Sequence, residues 1–314
     1  MMRPKYSVDG LGTFLAERLG GPLRRFEMVS ECSRPENFRV ETASGERLLV
    51  KCVPPERGGT RYFRDHYLPH LRALADCPAA VRLAHGPWEF GDCAVVALSW
   101  CAGRRVMPDR LTPAQEASLV AGYAALSDAM QRACAVLPAR DNAAVRREAM
   151  SLLGDGAACR ALRAFLEREA SESALAYDPA RMKAIHGDFH HGNLHFDGDA
   201  LAGVMDFEDF RLGYPADDWT RYVVCGAEHL RWFDFAGRRR LLALFARLLP
   251  LAPADEWREA VGGLLVRKIW RRFSRRKGPR AWLALNLRFR LGFYRRLLAL
   301  VAACAAEEGK EKKR

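Results

Sequence analysis

A chain of 314 residues is long enough for one large domain or two lobes around a sizeable core. With 49% hydrophobic and 28% charged residues it has the composition of a soluble globular protein, and charge interrupts every apolar run before the roughly 18 residues of a membrane-spanning helix, which excludes that class. The formal net charge of +12 bears on partners and solubility rather than on fold. Nine scattered cysteines without a Cys-x-x-Cys exclude a zinc ribbon and read as reduced thiols, and the start, MMRPKYSVDGLG, lacks the apolar core of a secretory signal; both point to the cytoplasm.

Residues 8–19, VDGLGTFLAERL, place Leu11, Phe14, Leu15 and Leu19 at helical spacing. LRRFEMVSE (23–31), ENFRVETASG (36–45), ERLLVKCVP (46–54) and CAVVALSW (93–100) are short runs rich in β-branched, aromatic or apolar residues. Thr42-Ala43-Ser44-Gly45 separates the second from the third, as a hairpin turn would. RYFRDHYLPHLRALA (61–75) is helical in period, with Pro69 expected to bend or interrupt it. Residues 22–100 therefore predict a small antiparallel sheet carrying one helix. After Cys101-Ala102-Gly103 the character changes. Thr112 reads as a helix N-cap, Pro113 as the first helical position and Glu116 as a capping partner. Most of the remaining chain is helical by period, ending in a charged tail, EEGKEKKR, that is expected to fray.

One stretch departs from that helical run. IHGDFHHGNLHFDGDALAGVMDFEDF (185–210) gathers four histidines, five aspartates, one glutamate and one asparagine. Two strand-like runs within it, NLHF and ALAGVMDF, are joined by Asp197-Gly198-Asp199, and Asp-Gly is a strong signal for a two-residue hairpin. Such a hairpin draws HGDFHHGN towards MDFED, so that Asp188, Asn193 and Asp206 converge at one end. One carboxylate to take the proton of an attacking hydroxyl, and an amide and a second carboxylate to hold Mg²⁺, are what phosphoryl transfer requires. The histidine pairs spaced four apart would suit zinc on a helix. On a loop and a strand they do not converge, and His190 and His191 read instead as supporting or substrate-facing groups.

HGDFHHGN…VMDFED resembles the catalytic loop and metal segment of the aminoglycoside phosphotransferase and choline kinase family, relatives of the protein kinases. LGYPADDWTRYV continues the resemblance, with Tyr214 at the family's first acid and Asp218 at its last. The likeness implies an α+β, protein-kinase-like fold of two lobes: a small antiparallel-sheet lobe over 1–102 that binds nucleotide, and a mainly helical lobe over 103–314 that holds the catalytic loop and the acceptor site. Carried over residue by residue, it makes Asp188 the catalytic base, Asn193 and Asp206 the metal ligands with Glu208 assisting, and His186 and Asp218 supports of the loop. Lys51 would meet the nucleotide phosphates. Ser33 lies in the loop over those phosphates, and Leu98 and Trp100 lie in the hinge beside the base. ATP and Mg²⁺ are the implied cofactors, and a small-molecule hydroxyl the implied acceptor. Two features depart from the family. Residues 30–38 have no Gly-x-Gly-x-x-Gly, and no glutamate occurs between Arg57 and Glu89 to pair with Lys51, leaving Asp65 as the acid in RYFRDHYLPHL.

The C-terminal third is strongly basic, with thirteen Lys or Arg and one acid between Arg258 and Arg296. In AVGGLLVRKIWRRFSRRK, Val261, Leu265, Ile269 and Phe273 form an apolar stripe. Arg267, Lys268, Arg271, Arg272, Arg275 and Arg276 form a basic face, read as a solvated outer surface or as a contact for an anionic acceptor or an anionic inner-membrane surface. No nucleic-acid module accompanies it, which places nucleic acid last. The basic charge tilts the acceptor towards an anionic sugar or a lipid-linked group. An aminoglycoside kinase, or a weakly active kinase-like binding protein at an acidic surface, are the alternatives.

Overall fold

The computed structural model describes residues 7–30, 36–53, 63–133, 142–153, 159–160, 162–164, 167, 179–231, 233–275 and 280–311. They fall into two compact units. The first takes in residues 1–105, 112–135 and 193–208, and the second residues 106–111, 136–192 and 209–314.

The first unit is built on a five-stranded antiparallel sheet of order β1-β2-β3-β5-β4: β1 (Leu23–Ser30), β2 (Glu36–Thr42), β3 (Arg47–Val53), β4 (Leu83–Phe90) and β5 (Cys93–Ser99). Helix α1 (Val8–Arg18), capped by the Ser7 hydroxyl on Gly10 N–H at 3.1 Å, lays Leu11 and Leu15 on one sheet face. There they meet Phe38, Val40, Leu48, Val50, Cys52, Val95 and Ala97. Because side chains alternate along a strand, Lys51 takes the opposite face together with Leu49 and Val53. Strand β4 has no counterpart in the sequence reading. Gly86-Pro87 breaks its pattern, and the strand tolerates a residue without an N–H because it lies at the sheet edge.

The helical run expected over 61–75 changes form beside Pro69, as a proline there should make it do. A π-turn at Phe63–Tyr67 leads into α2 (Leu68–Ala73), and Pro69 sits in its first turn, where no backbone donor is needed. Helix α3 (Pro113–Ala133) starts as predicted at Thr112, but its capping partner is Gln115 rather than Glu116. The Thr112 hydroxyl accepts Gln115 N–H and the Gln115 amide oxygen accepts Thr112 N–H, each at 3.1 Å, because the third helical position is the one that reaches back. The predicted hairpin also belongs to this unit, as β7 (Leu194–Asp197) and β8 (Ala200–Val204).

The second unit is mainly helical. A short antiparallel pair, β6 (Lys183–Ile185) and β9 (Arg211–Gly213), precedes the helices α5 (Pro215–His229), α6 (Phe235–Leu248), α7 (Ala254–Arg275) and α8 (Arg280–Glu311). Helix α7 packs against α5, α8 and α4 (Asn142–Leu152), burying Trp257, Val261, Leu264, Leu265 and Ile269. With neighbours on several sides, α7 turns Arg267 and Lys268 inwards, away from the solvated face read from the sequence. Arg267 is only 8% exposed and donates to Asp217 at 3.3 Å. Lys268 pairs with Glu228, while Arg271 is exposed. The side chains of Arg272 and Arg275, and all of Arg276, lie outside the described residues. Among the described residues no helix is long and apolar enough to cross a membrane.

Candidate active site

In the first unit the hairpin is fixed from two sides. Val204 donates to Ala79 O at 2.6 Å and accepts from Val81 N–H at 3.1 Å, while Phe196 and Arg104 exchange both backbone hydrogen bonds at 2.8 Å. The Asp-Gly turn is held by the cap of α3, where Thr112 donates to Asp199 at 2.9 Å and Gln115 to Gly198 O at 2.8 Å. Thus anchored, β8 delivers the two acids that follow it. Lys51 Nζ donates to Asp206 Oδ1 at 2.7 Å and to Glu208 Oε1 at 2.9 Å, and lies 5.1 Å from the centre of the Tyr67 ring.

The Lys51 side chain is 5% exposed. Burial opposes its charge, but Tyr67, Asp206 and Glu208 outweigh that cost and hold the ammonium well above its ordinary value. Burial likewise pushes the Tyr67 hydroxyl up to about 12, against the pull of Lys51. Asp206 sits at φ 70, the one non-glycine residue at positive φ among those described, a backbone state that costs about 1 kcal/mol or more. Asn193 lies across the hairpin, its carbonyl accepting Met205 N–H at 2.9 Å, next to Asp206 in sequence. Carboxylates such as Asp206 and Glu208 are hard oxygen donors of the kind Mg²⁺ takes, and 37% of the Asp206 side chain is exposed.

Leu98 is fully buried opposite Leu49, on the Lys51 face of the sheet. Trp100 is half-buried beneath the guanidinium of Arg39, 4.9 Å from its ring centre. Ser33 lies outside the described residues.

In the second unit, residues 186–188 form a loop braced from below. Asp218, fully buried on α5, accepts His186 N–H and Gly187 N–H, each at 2.8 Å. Burial pushes its carboxyl up, against His186, Arg211 and the two amides it accepts. Gly187 has φ 79, and a Cβ there would stand 2.0 Å from Asp209 O, so only glycine fits. His186 Nδ1 accepts Asp188 N–H at 3.2 Å, which fixes the backbone at Asp188. The Asp188 carboxylate meets Arg221 on one oxygen and His190 Nε2 at 3.5 Å on the other. Burial works against ionisation, but the His190 hydrogen bond and the Arg221 charge prevail and hold Asp188 well below the usual carboxylate range. His190 is oriented in turn by Gly192 N–H, donated to its Nδ1 at 3.0 Å.

Residues 29–249 match the phosphotransferase enzyme family. The chain belongs to that family. A homoserine kinase of Bradyrhizobium diazoefficiens is 26% identical over 276 residues, covering 80% of this chain and 78% of that one. Among solved structures, an aminoglycoside phosphotransferase of Alicyclobacillus acidocaldarius superposes with a TM-score of 0.62 at 16% identity, covering 98% of this phosphotransferase and 97% of that chain. An amicoumacin kinase in complex with AMP-PNP, Ca²⁺ and Ami superposes at 0.60 and 13% identity, over 86% and 87%. The α+β, protein-kinase-like fold expected from the sequence is therefore the fold of this phosphotransferase.

Two features of the phosphotransferase were not read from the sequence. Arg221 follows Asp218 by one turn of α5, so both project towards the 186–188 loop. The three-residue spacing in DDWTR was the available signal. The acids that pair with Lys51 are Asp206 and Glu208 themselves, which no local pattern around Lys51 announces.

Proposed function

We propose that this phosphotransferase is an ATP- and Mg²⁺-dependent small-molecule kinase of the cytoplasm, in which Asp188 takes the proton of the acceptor hydroxyl. The observation that carries the reading is the Lys51–Asp206–Glu208 cluster. It gathers, at one point beside Asn193, a cation suited to nucleotide phosphates and the carboxylates suited to a metal. The ATP analogue and divalent cation in the amicoumacin kinase complex support the same cofactors.

In this reading Asn193 and Asp206 hold Mg²⁺, with Glu208 beside them. When bound, the ion neutralises charge on the phosphates. Lys51 is buried and charged, and its charge is fixed beside the two acids, ready for the phosphates. Leu98 and Trp100 flank the nucleotide base, and Ser33 serves the phosphate loop. Asp188, kept ionised, orients the hydroxyl and receives its proton, while Asp218 and His186 hold the loop that carries it. Homoserine, substrate of the 26%-identical relative, is a small hydroxyl compound with a carboxylate, which supports a small and anion-bearing acceptor over a drug.

The test is transfer of labelled phosphate from ATP to a panel of hydroxyl compounds. Asp188→Asn is expected to keep nucleotide binding and lower turnover about 10²–10⁴-fold, since an amide cannot accept the proton. Turnover near that of the parent protein in Asp188→Asn removes Asp188 from the role of base. Transfer that proceeds fully in the presence of EDTA removes the metal.

A further inference from the structure

The second unit contains a cavity of about 180 Å³ between α5 and α7, lined by Arg221, Cys225, Glu228, Leu264, Arg267, Lys268 and Arg271. Its wall carries four basic side chains and one acid. Arg221 belongs both to this wall and to the ion pair with Asp188, so a single side chain separates the cavity from the carboxylate read above as the base. The Arg221 Nε–H is buried and meets no acceptor among the described residues, a cost that an oxyanion reaching it would remove. Burial lowers the Arg267 guanidinium against the pull of Asp217, and the nearby charges of Arg211 and Arg221 add to the lowering. The wall thus brings Arg221, Arg267 and Lys268 close together, each with one acid at its back: Asp188, Asp217 and Glu228. The volume matters as well: at about 180 Å³ the space is smaller than the roughly 300–1,000 Å³ typical of sites for drug-sized ligands and suits one end of a small molecule.

We propose that this cavity is the acceptor's anion subsite: it takes the carboxylate or phosphate of a small hydroxyl compound on Arg221, Arg267, Lys268 and Arg271, and so presents the hydroxyl to Asp188. The inference rests on the kinase reading for its function, but the site itself is a binding site with its own readout. Arginine favours oxyanions because its planar fork matches them bidentately. Lys268, already paired with Glu228, adds a point charge at the wall.

The first experiment is calorimetric titration of the full-length protein, without nucleotide, using inorganic phosphate in one arm and acetate in the other. The two arms distinguish a phosphorylated from a carboxylated acceptor. Arg271→Gln, at an exposed position that does not endanger folding, and Lys268→Gln are each expected to weaken the bound anion about tenfold, the effect of losing one charged hydrogen bond. Lys51→Met is expected to leave it bound, which separates the cavity from the nucleotide site.

The second experiment compares matched acceptors, glycerol 3-phosphate against glycerol and a hydroxy acid against its amide. The anionic member is expected to have the higher kcat/KM. Arg271→Gln should raise its KM while sparing kcat and sparing the neutral member.

Four outcomes overturn the subsite: neither anion binds; binding survives both cavity variants; neutral or cationic acceptors are preferred; or the cavity variants abolish sedimentation with phosphatidylglycerol vesicles but leave small-anion binding intact. If acceptor preference fails while transfer still depends on Asp188, the kinase reading stands without the subsite. If no acceptor is phosphorylated yet phosphate binding is lost in Arg271→Gln, the anion site stands and the kinase reading falls.

Discussion

At Asp188 burial and pairing act in opposite senses, and pairing prevails: the carboxyl is held below its ordinary range by His190 and Arg221 although its surroundings penalise charge. A carboxyl with a depressed folded-state pKa contributes stability that is fully present above the unfolded value of about 3.9 and is lost as pH falls towards the folded value. Removing Arg221 should therefore have a pH-dependent effect. Arg221→Met takes away the guanidinium partner of Asp188, and breaking a largely buried pair by deleting one partner costs about 3 kcal/mol at neutral pH. The Asp188 pKa, read by carboxyl NMR, should rise in this variant. The gap in melting temperature between parent and variant should be widest at pH 7 and narrow in acid. A gap that stays constant down to pH 3 would mean that the pair adds nothing through ionisation. Lys51 has the opposite balance of partners, one cation facing two acids.

The hairpin β7–β8 is an element whose placement depends on backbone geometry more than on its own side chains. Gly103, at φ 83, lets residues 103–104 run against Phe196. A Cβ there would stand 2.0 Å from Phe196 O, a backbone atom that cannot swing aside. Gly103→Ala is expected to open the Arg104–Phe196 bridge, cost about 1–3 kcal/mol in urea unfolding, and weaken nucleotide binding because Asp206 is displaced with the strand. Thr112→Ala should cost about 1 kcal/mol through the lost cap of α3 and leave nucleotide affinity nearly unchanged, since β8 keeps its bonds to residues 79–81. If both variants reduce affinity equally, the Gly103 contact has no special part in positioning Asp206. The hairpin was legible because Asp-Gly is a local signal, and the start of α3 because Thr-Pro is one. Strand β4 was not, because Gly86-Pro87 masks its alternation and only the sheet edge makes that tolerable. The partners of Lys51 were not legible either: Asp206 lies 155 residues away, and the sequence reading looked for an acid in the nearer helix.

For the whole molecule the net charge of +12 was readable at once, but its distribution was not, because a helical wheel shows which residues share a side and not what packs there. Arg267 and Lys268 are held inside the second unit on Asp217 and Glu228, so they contribute less to the outer field than their number in the sequence suggests. The remaining positive charge still surrounds a protein whose proposed nucleotide, Mg-ATP, is an anion. Long-range attraction of this kind acts on encounter and is screened once ions crowd within the Debye length, about 30 Å at 0.01 M salt and 8 Å at 0.15 M. Short pairs with one buried partner, such as Lys51–Asp206, are screened less. The two classes of charge should therefore separate in a salt series. The kcat/KM for Mg-ATP is expected to fall about tenfold between those two ionic strengths, while kcat, set after binding by groups shielded from solvent ions, stays within about a factor of two. Stopped-flow association of a fluorescent ATP analogue measures the same slope directly. A kcat/KM indifferent to salt would mean that the surplus charge lies away from the nucleotide's approach. A kcat falling in parallel would mean that the charges at the reacting groups are open to solvent, contrary to the burial of Lys51.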